Sequence, residues 1–240
     1  MQSPFKRPVT LLMSFFRTLC VAAAMAAGAT HAELVHQYSF DDGTANDSVS
    51  GANGKLMKGA KVENGVLSLG GDGGFVELPA GFIGTLTNFT ISVWVKPDVV
   101  TNWVRVFDFG TAMGTSLFFT VQSGDRHTPA ARFAITGKGI SGEQQLAAPA
   151  ALSAGTWTHI AITHSGATGI LYIDGSPVAT NTQMALGPAS LGPTTRNYIG
   201  RSQYPHDPPF AGQIDELRIF DEALTPAGII RKTYSTGAHQ

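Results

Sequence analysis

Residues 199–224 read IGRSQYPHDPPFAGQIDELRIFDEAL and gather five carboxylates, two arginines and a histidine. Three kinds of chemistry could use such groups. Glycoside hydrolysis needs two carboxyl groups roughly 5–10 Å apart across one bond. A hard cation such as Ca2+ needs roughly six to eight oxygens. Sugar binding needs an aromatic platform beside planar hydrogen-bonding side chains, because a pyranose has an apolar face and a hydroxyl rim.

The catalytic pattern is weak. Asp215 and Glu216 are adjacent, so they point to opposite sides of a strand. Asp221 and Glu222 lie past its end, ahead of a helix start, where acids suit the N-terminal dipole. His159 and His164 fall on opposite sides of another strand and cannot share a metal. The sequence has no Gly-x-Ser-x-Gly elbow and no phosphate-binding loop.

The cation pattern is open. Asp41, Asp42, Asn46, Asp47 and Asn53 lie among glycines on one segment. Hard oxygens on a loop suit Ca2+, yet turns favour the same residues for their own hydrogen bonds. Gly43 stands where an EF-hand would place a ligand. Counting back from Leu217 and Ile219 puts Asp215 on the core-facing side, where a lone carboxylate is costly unless paired or metal-bound.

For sugar, Trp103, Arg105 and Asp108 share one segment. Arg201, Gln203, Tyr204, His206 and Asp207 share another, stiffened by Pro205, Pro208 and Pro209. A structural alternative pairs Arg201 with Asp108 and uses Tyr204 to cap the core edge. Trp94 and Trp157, in mid-strand, read as packing residues.

Elements that could position these groups are strands. Apolar alternation is plain in FTISVWVKP (89–97), where Phe89, Ile91, Val93 and Val95 share a face. Similar segments occur at 34–40, 66–69, 75–78, 104–110, 116–121, 132–136, 156–165, 169–175, 176–181, 196–200 and 214–220. Short strands with Gly-rich breaks predict an antiparallel all-β sandwich. Asp174-Gly175 marks a type I′ hairpin. Thr225 and Pro226 announce one short C-terminal helix over AGIIRK.

The first 32 residues read as a cleaved secretory signal ending at Ala32, which leaves one domain over residues 33–240. Arg17 interrupts the apolar run, so neither half reaches the ~18 residues of a membrane span. Leu19 before Cys20 argues against a lipid-modified cysteine, and without Cys20 the mature chain has no thiol. Lys6, Arg7 and Arg17 leave with the signal, so 13 of the 16 basic residues face 17 acidic ones. With no basic cluster, nucleic acid is excluded as a partner.

Eight segments together resemble the laminin G-like jelly rolls of the concanavalin A-like lectin/glucanase superfamily. They are YSFDDGTANDSVSGANGKL (38–56), LSLGGDGGFVELP (67–79), FTISVWVKP, RVFDFG (105–110), GTWTHIAIT (155–163), GILYIDG (169–175), YIGRSQY (198–204) and IDELRIFDEAL (214–224). The resemblance implies two stacked antiparallel sheets and a bacterial, secreted or periplasmic protein that binds sugars. It also implies a structural Ca2+ joining the N-terminal loop to a C-terminal strand, through Asp41, Asp47, Asn53 and Asp215. The Glu-x-Asp-x-x-Glu string of the superfamily's retaining glucanases is absent. The expectation is therefore a non-catalytic carbohydrate-binding module, with Trp103, Arg105, Asp108, Arg201, Tyr204 and His206 at the ligand. The alternatives are an adhesive, protein-binding module of the cell envelope, or a glycosidase or polysaccharide lyase on the same fold.

Overall fold

A computed structural model describes Met1, residues 32–124 and residues 129–234. The expected signal lies outside the described residues except at Met1 and Ala32. No helix among the described residues is long and apolar enough to cross a membrane.

The strands build two antiparallel sheets. The first runs β13 (Ser176–Asn181), β12 (Thr168–Ile173), β11 (Thr158–Ser165), β6 (Phe89–Pro97), β15 (Ala211–Phe220), β4 (Val66–Gly70) and β3 (Lys61–Glu63). Here β1 (Leu34–Tyr38) also pairs with β15. The second runs β10 (Gln144–Ala147), β9 (Arg132–Thr136), β8 (Thr115–Thr120), β7 (Arg105–Ala112), β14 (Arg196–Ile199), β5 (Phe75–Leu78) and β2 (Lys55–Met57). The expected jelly-roll sandwich is the fold. β2, β3 and β10, of three or four residues, were absent from the sequence reading.

The core follows from the alternation. Phe89, Ile91, Val93 and Val95 of β6 face Phe107, Phe109, Phe119, Phe133 and Ile135 of the other sheet. Each such side chain contributes about 1.5–3 kcal/mol by leaving water. Phe107 and Phe109 stack at 5.1 Å, and Phe82 meets Phe109 edge-on at 5.0 Å. The β12–β13 turn is the expected one, with φ of 48° at Asp174 and 75° at Gly175.

The outer face of the first sheet is partly covered by the chain's end. Thr225 caps α1 (Pro226–Ile229) by accepting from Gly228 N at 3.1 Å, and a π-helical turn over Ile230–Tyr234 follows. Tyr234 stacks on Trp94 at 5.5 Å and meets His159 edge-on at 5.6 Å. Burial, then nearby Arg218, lowers the His159 pKa to about 3, so this ring is neutral. His164 instead packs on the core ring of Phe89 at 5.3 Å, so the two histidines do face opposite ways.

β1 brings the start of the domain to its end. Glu33 N donates to Asp221 Oδ1 at 2.7 Å, and Asp221 N returns a bond to Glu33 O at 3.1 Å. Lys232 Nζ donates to Ala32 O at 3.0 Å. Asp221 therefore ties the strand ends together, and Glu222 Oε2 accepts from Asn88 Nδ2 at 2.9 Å. Neither carboxylate serves the helix start as expected; Thr225 does.

Candidate functional site

The outer face of the second sheet carries a cavity of ≈220 Å3. Alternation on β8 and β9 sends Phe118 and Arg132 outward while Phe119 and Phe133 fill the core. On β7 a bulge between Arg105 and Phe107 lets Arg105 face outward although Val106 and Phe107 both enter the core. Phe118 forms the floor together with Ser116 and Thr136. Trp103 and Tyr204 supply further ring surface, and Ile140 and Glu143 stand on the loop after β9. Trp103 holds a left-handed backbone, φ 67°, fixed by its N–H to Gln122 O at 2.9 Å. Such strain costs of order 1–3 kcal/mol and clusters where a side chain must be aimed. Gly124 lies so close beneath the indole that any Cβ there would strike it.

Both arginines are held over rings and beside carboxylates. The Arg105 guanidinium sits 3.9 Å from the Phe118 centroid, a cation–π arrangement. Its Nη1 donates to Trp103 O at 3.0 Å, and it lies 3.6 Å from Asp108 and 3.4 Å from Asp207. Arg132 sits 4.7 Å from the Trp103 ring, donates to Gln145 Oε1 at 2.7 Å and faces Glu143 at 3.5 Å.

Beneath Arg105, Asp108 is wholly buried. Its Oδ2 accepts from Gln203 N at 3.0 Å, while Oδ1 has no hydrogen-bond partner. Burial raises its pKa to about 6, opposed chiefly by Arg105 and then by the Gln203 N–H. Ser116 lies near enough to favour the charged form without reaching hydrogen-bond geometry.

The structure thus brings Trp103, Arg105 and Tyr204 to one cavity, with Asp108 below them. Arg201 goes elsewhere. It stacks over Phe75 at 4.5 Å and Tyr198 at 5.0 Å, lining a second cavity of ≈340 Å3 that shares Tyr204 and Asp207. The structural alternative of an Arg201–Asp108 pair does not form; Arg105 is the arginine beside Asp108. His206 is exposed and lines neither cavity. Phe118, Arg132 and Glu143 escaped the sequence reading; a charge at Arg132 between buried Ala131 and Phe133 was the available signal.

Two of the expected cation ligands, Asp47 and Asn53, are committed to protein donors. Asp47 is buried, and its Oδ1 accepts from the N–H groups of Gln37 and Val49, both at 3.0 Å. Its Oδ2 meets Ser50 Oγ at 2.5 Å, His36 Nδ1 at 2.7 Å and Ala52 N at 3.3 Å. Burial alone would raise this carboxyl, but the hydrogen bonds from Ser50, Gln37, His36 and Val49 outweigh it and hold it well below its ordinary value. Asn53 spends its oxygen on Asp47 N at 3.0 Å. No cluster of three or more His, Cys, Asp or Glu among the described residues could hold a metal. Asp47 and Asn53 thus have these oxygens engaged by the protein's own donors.

Asp215 moves for a physical reason. A β-bulge between Asp215 and Arg218, with Glu216 at φ 50°, shifts the strand's alternation. Ile214 and Leu217 both enter the core, and Asp215 pairs with Trp94 on the outer face. Glu216 and Arg218 form an ion pair at 2.8 Å, with Arg218 buried.

Ser50, His36 and Asp47 are hydrogen-bonded together, but not as a nucleophile relay. Ser50 and Asp47 both meet Nδ1, while Nε2 faces Phe82 O at 2.8 Å. The imidazole cannot carry a serine proton from one nitrogen to a partner on the other.

A family model for the concanavalin A-like lectin/glucanases superfamily, of laminin G type, matches residues 69–230. No curated protein matches the chain. Among solved structures, domain 4 of AbnA, an extracellular arabinanase of Geobacillus stearothermophilus in complex with arabinotriose, is similar at TM-score 0.71 and 24% identity; 82% of this chain and 97% of that one are covered. The Ruminococcus gnavus sialidase CBM40 bound to sialyllactose gives 0.52 and 14%, over 65% and 94%. The binding domain of botulinum neurotoxin DC in complex with rat synaptotagmin II gives 0.60 and 17%, over 82% of this chain and 50% of that one. At these identities the likeness is one of fold.

Proposed function

The chain belongs to the laminin G-type family of the concanavalin A-like lectin/glucanases superfamily, and on that premise we propose that it is an exported, non-catalytic glycan-binding module. One observation carries the proposal: a cavity where the rings of Trp103, Phe118 and Tyr204 meet two arginines with their carboxylates. Ring faces suit the apolar side of a sugar, and the polar groups around them suit its hydroxyls. The arabinotriose and sialyllactose complexes of similar folds support a sugar as ligand.

Binding is favoured over hydrolysis by the position of the acids. Asp108, whose raised pKa would suit a general acid, lies wholly buried under Arg105. Asp207 and Glu143 each have one oxygen engaged by an arginine rather than free to act on a glycosidic bond. Export rests on the basic start, apolar middle and small residues of positions 1–32; N-terminal sequencing of secreted protein tests it.

The binding test is affinity electrophoresis of wild type, Trp103→Ala and Tyr204→Ala in gels containing plant and algal polysaccharides. Retardation of the wild type and its loss in both variants is the expected result. Equal retardation of all three removes this cavity from the site.

A further inference from the structure

The chemistry of the cavity also selects among sugars, and this inference rests on the glycan reading above. We propose that the cavity accepts one uncharged sugar residue and rejects carboxylated and sulfated ones. Size sets the first part. At ≈220 Å3 the cavity is smaller than the roughly 300–1,000 Å3 that houses a drug-sized ligand, so it has room for a single ring.

Charge sets the second part. The arginines would attract an anion only if their charge were uncompensated. Arg105 lies 3.4 Å from Asp207 and 3.6 Å from Asp108, and Arg132 lies 3.5 Å from Glu143. Each guanidinium is thus already matched. Both guanidinium planes lie over rings, and one donor of each goes to the Trp103 carbonyl or the Gln145 amide oxygen. An incoming carboxylate or sulfate would have to displace Glu143 or Asp207, or sit beside them in a partly desolvated space. Like charges held together in this way are costly. A neutral ring meets no such penalty. It can lie on Phe118 while its hydroxyls reach the outer edges of the same ion pairs.

The consequence is that Glu143 acts on specificity through Arg132. Glu143→Gln keeps the shape of the loop and leaves one guanidinium unmatched. That variant gains affinity for charged sugars, whereas a purely structural role for Glu143 would weaken all sugars alike.

The experiment uses matched probes: galactan against polygalacturonate, and dextran against dextran sulfate, with arabinan as a further neutral chain. Wild type, Glu143→Gln, Asp207→Asn and Trp103→Ala are compared by affinity electrophoresis at low salt. Wild type is expected to be retarded by at least one neutral polymer and roughly tenfold less, or not at all, by the charged ones. Glu143→Gln, or Asp207→Asn should the first fold poorly, is expected to gain roughly tenfold toward a charged polymer. A wild type that prefers polygalacturonate or dextran sulfate overturns the charge inference while leaving glycan binding intact. Failure of every polymer to retard the wild type overturns both.

Discussion

Asp47 and Asp108 are both buried carboxylates in the same sandwich, yet their surroundings differ. Asp47 is met by five donors, three from backbone and two from His36 and Ser50. Asp108 is met by one hydrogen bond and a guanidinium at 3.6 Å, with one oxygen unanswered. The first has its lone pairs spent on its own loop and on β1 and has nothing left for a ligand. The second stores an electrostatic deficit beneath an open cavity. Burial of polar groups is therefore no guide to function here; what separates scaffold from site is whether the hydrogen-bonding capacity is filled.

The largest effect should come from breaking the filled network. Asp47→Ala leaves His36, Ser50 and three backbone N–H groups without their acceptor, at a cost of about 3–5 kcal/mol. The melting temperature should fall by roughly 10 °C, measured by differential scanning calorimetry. A fall of a degree or two would put Asp47 in the same class as Asp108 and dissolve the contrast.

A smaller effect, on binding alone, is expected from Gly124→Ala. The added methyl meets the Trp103 indole and must push it from the cavity wall. Sugar affinity should drop roughly tenfold, with the melting temperature within about 2 °C of wild type. Equal losses in both measurements would tie Trp103 to the scaffold instead.

The pH dependence sharpens the comparison further. The Asp108 pKa is raised to about 6 from an ordinary 3.8, so between those values the folded chain holds a proton that the unfolded chain has released. Its contribution to stability therefore grows as pH falls from 6 toward 4 and shrinks as pH rises. Asp47 is held below its ordinary 3.8, so its contribution is complete above that pH and is lost as pH drops beneath it. Subtracting Asp108→Asn from wild type should give a difference that changes across pH 4–6 and is level from pH 7 to 8. A flat difference throughout contradicts the deficit assigned to Asp108.

The smallest effect is expected from chelation. With Asp47 and Asn53 committed to protein donors, excess EDTA should move the melting temperature by less than about 1 °C. A drop of several degrees would restore the cation reading of that loop.

Much of the scaffold was legible because strand alternation is local. β5, β6, β9 and β13 run over the expected residues, and the Asp174-Gly175 turn is the one its residue types require. The bulge at Asp215 was not legible, because a non-glycine residue in a left-handed conformation leaves no mark in composition. Counting by twos then carried Asp215 to the wrong face. The site was half legible. Trp103, Arg105 and Tyr204 stood out as rings and charges in turn-rich segments. Arg132 and Glu143 did not, since only the β8–β9 pairing and the loop after it bring them beside Trp103. For Asp47, the hidden term was His36, whose ring reaches across from the first strand.

The rung between Glu33 and Asp221 has a consequence for how this domain could be rewired. Beginning and finish lie side by side, with Lys232 touching Ala32, so a short linker could splice residue 234 to residue 32. Opening the loop thus made at the Asp174-Gly175 hairpin would yield a circular permutant with the same sandwich and an untouched cavity, carrying fresh fusion points at the β13 edge of the first sheet.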